Sequence, residues 1–166
     1  MLKGFPPIAA QGARLLILGS MPSVASLDQH QYYARPQNAF WKIMGDLYQA
    51  TVSMPYEQRV SRLSAAGVAV WDVVASCIRP GSLDSAIDMQ SVVVNDFAAF
   101  FISHPNVSHV YFNGRKAEDI YRRFVLADVG GIRPDLVYTA LPSTSPAMAT
   151  LNYAAKLARW QVLTET

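Results

Sequence analysis

The chain of 166 residues has one cysteine, Cys77, and only three histidines, the residues from which zinc sites are chiefly built. A lone cysteine excludes an internal disulfide and any cysteine-rich zinc site, and it suits a reducing, cytoplasmic compartment. His30, His104 and His109 have no zinc-ligand spacing, so no zinc is expected. No apolar run approaches the roughly 20 residues of a membrane helix. The opening Met1-Leu2-Lys3-Gly4-Phe5-Pro6-Pro7 lacks the apolar core and cleavage pattern of a signal peptide. Charged residues are scarce at 16%, against 51% hydrophobic, which excludes a disordered or coiled chain. Net charge is only +2, which permits a polyanionic partner without requiring one.

What is present is a chain of strands and helices. Short β-branched or aromatic runs cover Arg14 to Leu18, Gly67 to Val74, His109 to Asn113 and Asp135 to Leu141. Each is continuously apolar, the mark of strands buried on both faces of a parallel sheet. Helical patterns lie between them at Asn38 to Ala50, Tyr56 to Ala66, Val94 to Ser103, Gly114 to Leu126 and Leu151 to Leu163. The alternation predicts an α/β fold: a three-layer αβα sandwich with a central, mainly parallel four-stranded sheet, formed by residues 1–166 as one domain. In such sheets sites form at the carboxyl ends of strands. The segments after the four strands should therefore converge.

Gly19 to Trp41 (GSMPSVASLDQHQYYARPQNAFW) is the longest of these segments, and it reads as a loop of roughly twenty residues before a helix near Asn38. Gly19-Ser20-Met21-Pro22-Ser23 lacks the GK[ST] ending of a P-loop and the spaced glycines of a dinucleotide fingerprint. It is either a tight turn or a place where backbone N–H groups approach a ligand. Tyr32 and Tyr33 are core plugs or a stacking platform for a base, and Arg35 is solvated or touches phosphate. Asn38 is an N-cap, or its amide positions a water or base edge. The position three after it is Trp41, so there is no capping box.

Asp72 ends the second strand, with Arg79 downstream. It is either a cap or ion-pair partner of Arg79, or an acid/base and base-reading group. Ser76 to Ser91 reads as a second long connection, in which Asp84 and Asp88 are loop or cap residues. Pro142, Ser143, Thr144 and Ser145 follow the last strand in a rigid hydroxyl-rich turn. That turn is a plain connection or a phosphate grip with an apolar tip.

In order along the chain, LILGSMPS at Leu16 to Ser23, YYARPQNAFWK at Tyr32 to Lys42, WDVVASCIRPGSLDSAI at Trp71 to Ile87, FNGRKAE at Phe112 to Glu118 and LPSTSPA at Leu141 to Ala147 resemble the uracil-DNA glycosylase superfamily. The resemblance is nearest to its hypoxanthine (deoxyinosine) branch. It implies a monofunctional DNA repair enzyme that flips a deaminated base out of damaged DNA and hydrolyses its glycosidic bond without a metal or redox cofactor. A monomer is expected because the predicted core accounts for most of the apolar residues. The mismatch-specific branch carries a water-holding Asn just before the first-motif proline, and Met21 stands there instead. The resemblance therefore moves catalysis to Asn38. It assigns base binding to Gly19, Ser20, Met21, Tyr33, Phe40 and Asp72. It assigns DNA binding to Arg35, Arg79, Pro142, Ser143, Thr144, Ser145 and the apolar wedge Met148. The competing expectation is a non-catalytic nucleic-acid or nucleotide-binding module that keeps the pocket.

Overall fold

The computed structural model describes residues 1–166. In chain order the strands are β1 (Leu2–Lys3), β2 (Leu15–Gly19), β3 (Val68–Asp72), β4 (Val74–Cys77), β5 (Val93–Val94), β6 (His109–Asn113) and β7 (Val137–Leu141). The α-helices are α1 (Val24–Gln29), α2 (Phe40–Tyr48), α3 (Tyr56–Ala65), α4 (Phe97–Ser103), α5 (Arg115–Phe124), α6 (Leu126–Gly130) and α7 (Tyr153–Trp160).

The central sheet has four strands in the order β3-β2-β6-β7, and every neighbouring pair is parallel. The continuous apolar runs have their physical explanation here: β2 and β3 are buried at every position. A strand can be buried throughout only if both faces of the sheet are covered. Helices supply that cover in the three-layer αβα arrangement. Trp71, Phe97, Phe112 and Tyr121 pack in one aromatic cluster from β3, α4, β6 and α5. Phe40, Trp41 and Trp160 pack in another from α2 and α7. The outer edge of β3 is covered by Ile8, which exchanges two 2.8 Å backbone hydrogen bonds with Val70.

Several expected boundaries are corrected. Gly19 to Trp41 is not one open loop, because it contains α1. Ser23 caps that helix by accepting from the Ser26 N–H, and the helix ends at His30 in the left-handed region, φ 54°. Six residues without apolar periodicity leave no helical signal in the sequence. The run Gly67 to Val74 is divided at Val73. There the chain leaves the parallel sheet, and β4 joins a separate antiparallel sheet in the order β1-β4-β5. β5 takes the start of the expected helix at Val94. α4 begins only after Asp96, whose side chain accepts from the Ala99 N–H at 3.0 Å. The segment Ser76 to Ser91 folds as the end of β4 and two 3-10 turns, Asp84–Ala86 and Met89–Ser91. No helix is long and apolar enough to cross a membrane.

Candidate active site

Because all four central strands run parallel, their last residues fall on one edge. Asp72, Gly19, Asn113 and Leu141 end β3, β2, β6 and β7 in that spatial order, with Gly19 opposite Asp72 and Asn113 opposite Leu141. The segments that follow them enclose a cavity of about 570 Å³. Gly19 forms part of its floor because a side chain does not fit there. A Cβ on Gly19 would stand 2.5 Å from Asp72 Oδ1 and 2.8 Å from the Tyr33 hydroxyl.

The adjacent tyrosines take different roles, although both line the cavity. Tyr32 is a core plug: its hydroxyl donates to Pro6 O at 2.8 Å, and its carbonyl accepts from Trp41 Nε1 at 2.7 Å. Tyr33 has a left-handed backbone, φ 54°, and lines the cavity. Its ring stacks on Phe40 with centroids 4.0 Å apart and planes 23° from parallel. Phe40 is fully buried and does not line the cavity. This corrects its expected place among the base-binding residues: it is the backing of the aromatic wall.

Asn38 lines the cavity beside that wall. It is not the residue immediately before α2, since Ala39 holds that position without a side-chain cap. Asn38 Oδ1 nevertheless accepts the Phe40 N–H at 2.9 Å, so the side chain caps the helix from one residue further back. Cap and amide donor are therefore compatible roles. The oxygen is held by the helix, which leaves the Nδ2 hydrogens for a group in the cavity.

Asp72 is buried, at 4% exposure, and its Oδ2 has no hydrogen-bond partner. Burial raises its pKa to about 7; the Asp84 carboxylate adds to the rise and Arg79 opposes it. Burial, with the Asp72 charge next, likewise pushes the Tyr33 hydroxyl far up, so it stays protonated. The expected Asp72–Arg79 ion pair does not form. Arg79 is itself buried and gives its guanidinium to two carbonyls, Gly81 O and Pro22 O, each at 2.7 Å. It clamps the first motif through Pro22, is buried and does not line the cavity, unlike the exposed phosphate contact expected of it. Asp84 is also not a mere loop residue. It lines the cavity, and its Oδ1 accepts from Ser20 Oγ at 2.5 Å. Met21 is buried at 7% exposure but still reaches the cavity wall.

The turn after β7 divides into a buried anchor and an open tip. Thr144 is 1% exposed. It exchanges two hydrogen bonds with the Asn113 amide, at 3.0 and 2.9 Å, and its carbonyl accepts from Ala39 N at 3.0 Å. Pro142 O accepts from Trp160 Nε1 at 2.9 Å, and Pro142 does not line the cavity. Pro142 is thus a fastener, correcting its expected DNA contact, while Thr144 is a buried fastener that also lines the cavity. Ser143, Ser145 and Met148 do line the cavity, with exposed Pro146 and Ala147 between them. Lys156 is buried, with its pKa lowered by that burial, and its Nζ donates to Ser145 O at 3.3 Å.

Exposed Arg35 stands at the cavity, joined by Arg115 and Lys116 from the start of α5. Asn113, Asp84, Lys116 and Lys156 are the participants that sequence reasoning missed. For Asn113 a signal existed: a polar residue ends an otherwise apolar strand just before Gly114, whose φ of 94° calls for glycine. For Lys156 there was none, since a lysine on a helix is ordinarily solvated. No group of three or more His, Cys, Asp or Glu side chains comes together to hold a metal ion.

The model of the uracil DNA glycosylase superfamily matches residues 6–164. A hypoxanthine DNA glycosylase of Methanosarcina barkeri is 34% identical over 116 residues, covering 69% of this chain and 72% of the relative. One from Methanosarcina acetivorans is 36% identical over 116 residues with the same coverage. The solution NMR structure of a candidate uracil DNA glycosylase from Methanosarcina acetivorans superposes with a TM-score of 0.79 at 31% identity. That match covers 97% of this chain and 94% of the other.

Proposed function

The chain belongs to the uracil DNA glycosylase superfamily, and from that membership we propose that it is a monofunctional DNA glycosylase that removes deaminated bases, hypoxanthine first, and leaves an abasic site. The observation that carries this reading is the cavity wall itself. An aromatic face, Tyr33 backed by Phe40, stands beside a free amide donor, Asn38 Nδ2, and a carboxyl held near neutrality, Asp72. A flipped base needs a stacking surface and uncharged hydrogen-bond partners.

In this reading Tyr33 stacks on the base, and the protonated Asp72 donates to an acceptor on its edge. Hydrolysis passes through a cationic, oxocarbenium-like sugar while electron density moves onto the departing base. The Asn38 amide holds a reacting group in line, a positioning role that needs no titratable proton. Arg35, Arg115 and Lys116 at the rim suit the phosphates that flank the flipped nucleotide. The exposed tip from Pro146 to Met148 suits insertion into the vacated stack. We further propose that the chain acts as a single domain and a monomer, in DNA repair within the cytoplasm.

Duplexes carrying deoxyinosine, deoxyuridine or deoxyxanthosine, incubated with the protein and then treated with alkali, test the proposal. Strand breaks are expected at deoxyinosine, and their absence on all three lesions overturns it. The competing reading is a binding module without catalysis. Met21 favours it, because an apolar thioether occupies the first-motif wall. Salt-dependent binding to the same duplexes with no base released would select that reading.

A further inference from the structure

Asp84 is an unpaired carboxylate in a cavity that, on the glycosylase reading, must accept a polyanion. The ion pairs of the protein are Arg122–Glu118 and Arg133–Asp135, and neither involves Asp84. The nearby cation Arg79 spends Nε and Nη2 on the carbonyls of Gly81 and Pro22, leaves Nη1 without a partner, and makes no ion pair with Asp84. Asp84 is nevertheless firmly held. Ser20 Oγ donates to it at 2.5 Å, and Ser20 is only 8% exposed and adjoins Gly19 on the floor. The segment bearing Asp84 is tied down on both sides, by Val24 N to Ser82 Oγ at 3.0 Å and by Ile87 N to Asp84 O at 3.2 Å. Asp84 is thus a half-buried carboxylate of the cavity lining, held by a buried hydroxyl.

Depth separates the two carboxyl groups. Asp72 lies at the floor, buried, with an Oδ2 that has no hydrogen-bond partner. Asp84 is half-buried, more exposed than Asp72, and lines the same cavity. We propose that Asp84, oriented by Ser20, is a catalytic carboxylate of this site, facing the anomeric carbon of the flipped nucleotide. This rests on the glycosylase reading. In the step, the glycosidic C1′–N bond breaks and its electron pair leaves on the base. The water oxygen bonds to C1′, and the water proton passes to the Asp84 carboxylate and from there to solvent. The released base takes its proton from solvent. The same negative charge stabilises the sugar cation that exists only in the transition state, whereas it repels phosphate in the ground state. Differential binding of this kind raises turnover at the expense of affinity.

Asp84→Asn keeps an oxygen that can accept from Ser20 and removes the charge, so rate and binding should respond in opposite directions. Single-turnover base release from a deoxyinosine duplex should fall by roughly 10- to 100-fold. Affinity for the same duplex, read by fluorescence anisotropy, should be unchanged or tighter. A rate within twofold of wild type overturns the proposal, and so does a rate loss accompanied by equally weakened binding, which would mark Asp84 as a structural tether only. Should Asp84→Asn not fold, Ser20→Ala decides. It retains the charge but frees its orientation, so a slower rate at unchanged affinity supports the assignment and an unchanged rate overturns it. A wild-type protein that releases no base overturns the glycosylase reading and this assignment together. Full activity in Asp84→Asn overturns this assignment alone.

Discussion

Gly19 and Asp72 are register partners on adjacent parallel strands, and the space a side chain on Gly19 would need is already taken by Asp72 Oδ1. The backbone of Gly19 is ordinary. The glycine is required by its neighbours and not by its φ. Gly19→Ala must displace Asp72 or Tyr33 from the cavity. It should cost about 1–3 kcal/mol of stability and most of the base release, measured by urea unfolding and by the lesion assay. An alanine variant with wild-type activity would show that neither side chain needs its present place.

Asp72 gives the protein a pH dependence with a definite sign. Its folded pKa is about 7, while an unfolded aspartate titrates near roughly 3.9. Between those values the folded state holds a proton that the unfolded state has lost. Stability should therefore fall as pH rises through that window and level off above it, by an amount on the order of 4 kcal/mol. Asp72→Asn should remove that slope and be the more stable protein at pH 8. Urea midpoints for both proteins at pH 5 and pH 8 check this, and parallel shifts in the two would refute it. Base release by the wild type should decline as pH rises through the same folded value.

The two jobs of Asn38 can be separated by one substitution. Asn38→Asp keeps an oxygen for the Phe40 N–H but loses the Nδ2 donor. It should retain stability within about 0.5 kcal/mol and lose base release by about 100-fold or more. Asn38→Ala should lose both, with about 1 kcal/mol of stability gone. Normal excision by the aspartate variant would leave Asn38 as a cap alone.

Asn113 and Thr144 fasten the last turn to the sheet edge. Thr144→Val preserves shape but leaves the buried Asn113 amide one acceptor short, a loss of about 1–3 kcal/mol. Thr144→Ser keeps the hydroxyl and should behave as wild type. Thermal melts of the two variants, with excision measured beside them, test whether this fastener holds the tip from Pro146 to Met148 in place.

The apolar runs of β2 and β3 were legible because burial on both faces leaves no room for polar residues, whereas the edge strand β7 is only partly covered; the ends of all four central strands pointed to a single edge of the sheet. The aromatic pair at Tyr32 and Tyr33 was visible as well. Which tyrosine plugs the core and which stacks on Phe40 was not, because one left-handed residue sets that choice, and tyrosine is an unusual occupant of that conformation. Likewise, nothing local distinguishes an arginine that bonds carbonyls from one that contacts phosphate. Arg79 became a clamp only when β3 gave way to β4 and brought it beneath Pro22.

The sequence by itself determined the α/β layering, the parallel sheet and the polar segments that build the cavity, since these follow from local periodicity and from the requirement that buried strands be apolar. The family motifs lie in those same segments. Only the tertiary structure decided the division of labour among them. It put Phe40 behind Tyr33, made Pro142, Thr144 and Lys156 fasteners, and brought Ser20 to Asp84 across 64 residues of chain. The reason is physical: hydrogen bonds, desolvation and Coulomb interactions between side chains depend on distances that arise only when remote segments meet. From Gly19 to Trp41 the chain contributes a floor, a helix, a wall and an amide, and the strand edge beneath them aligns these into one site.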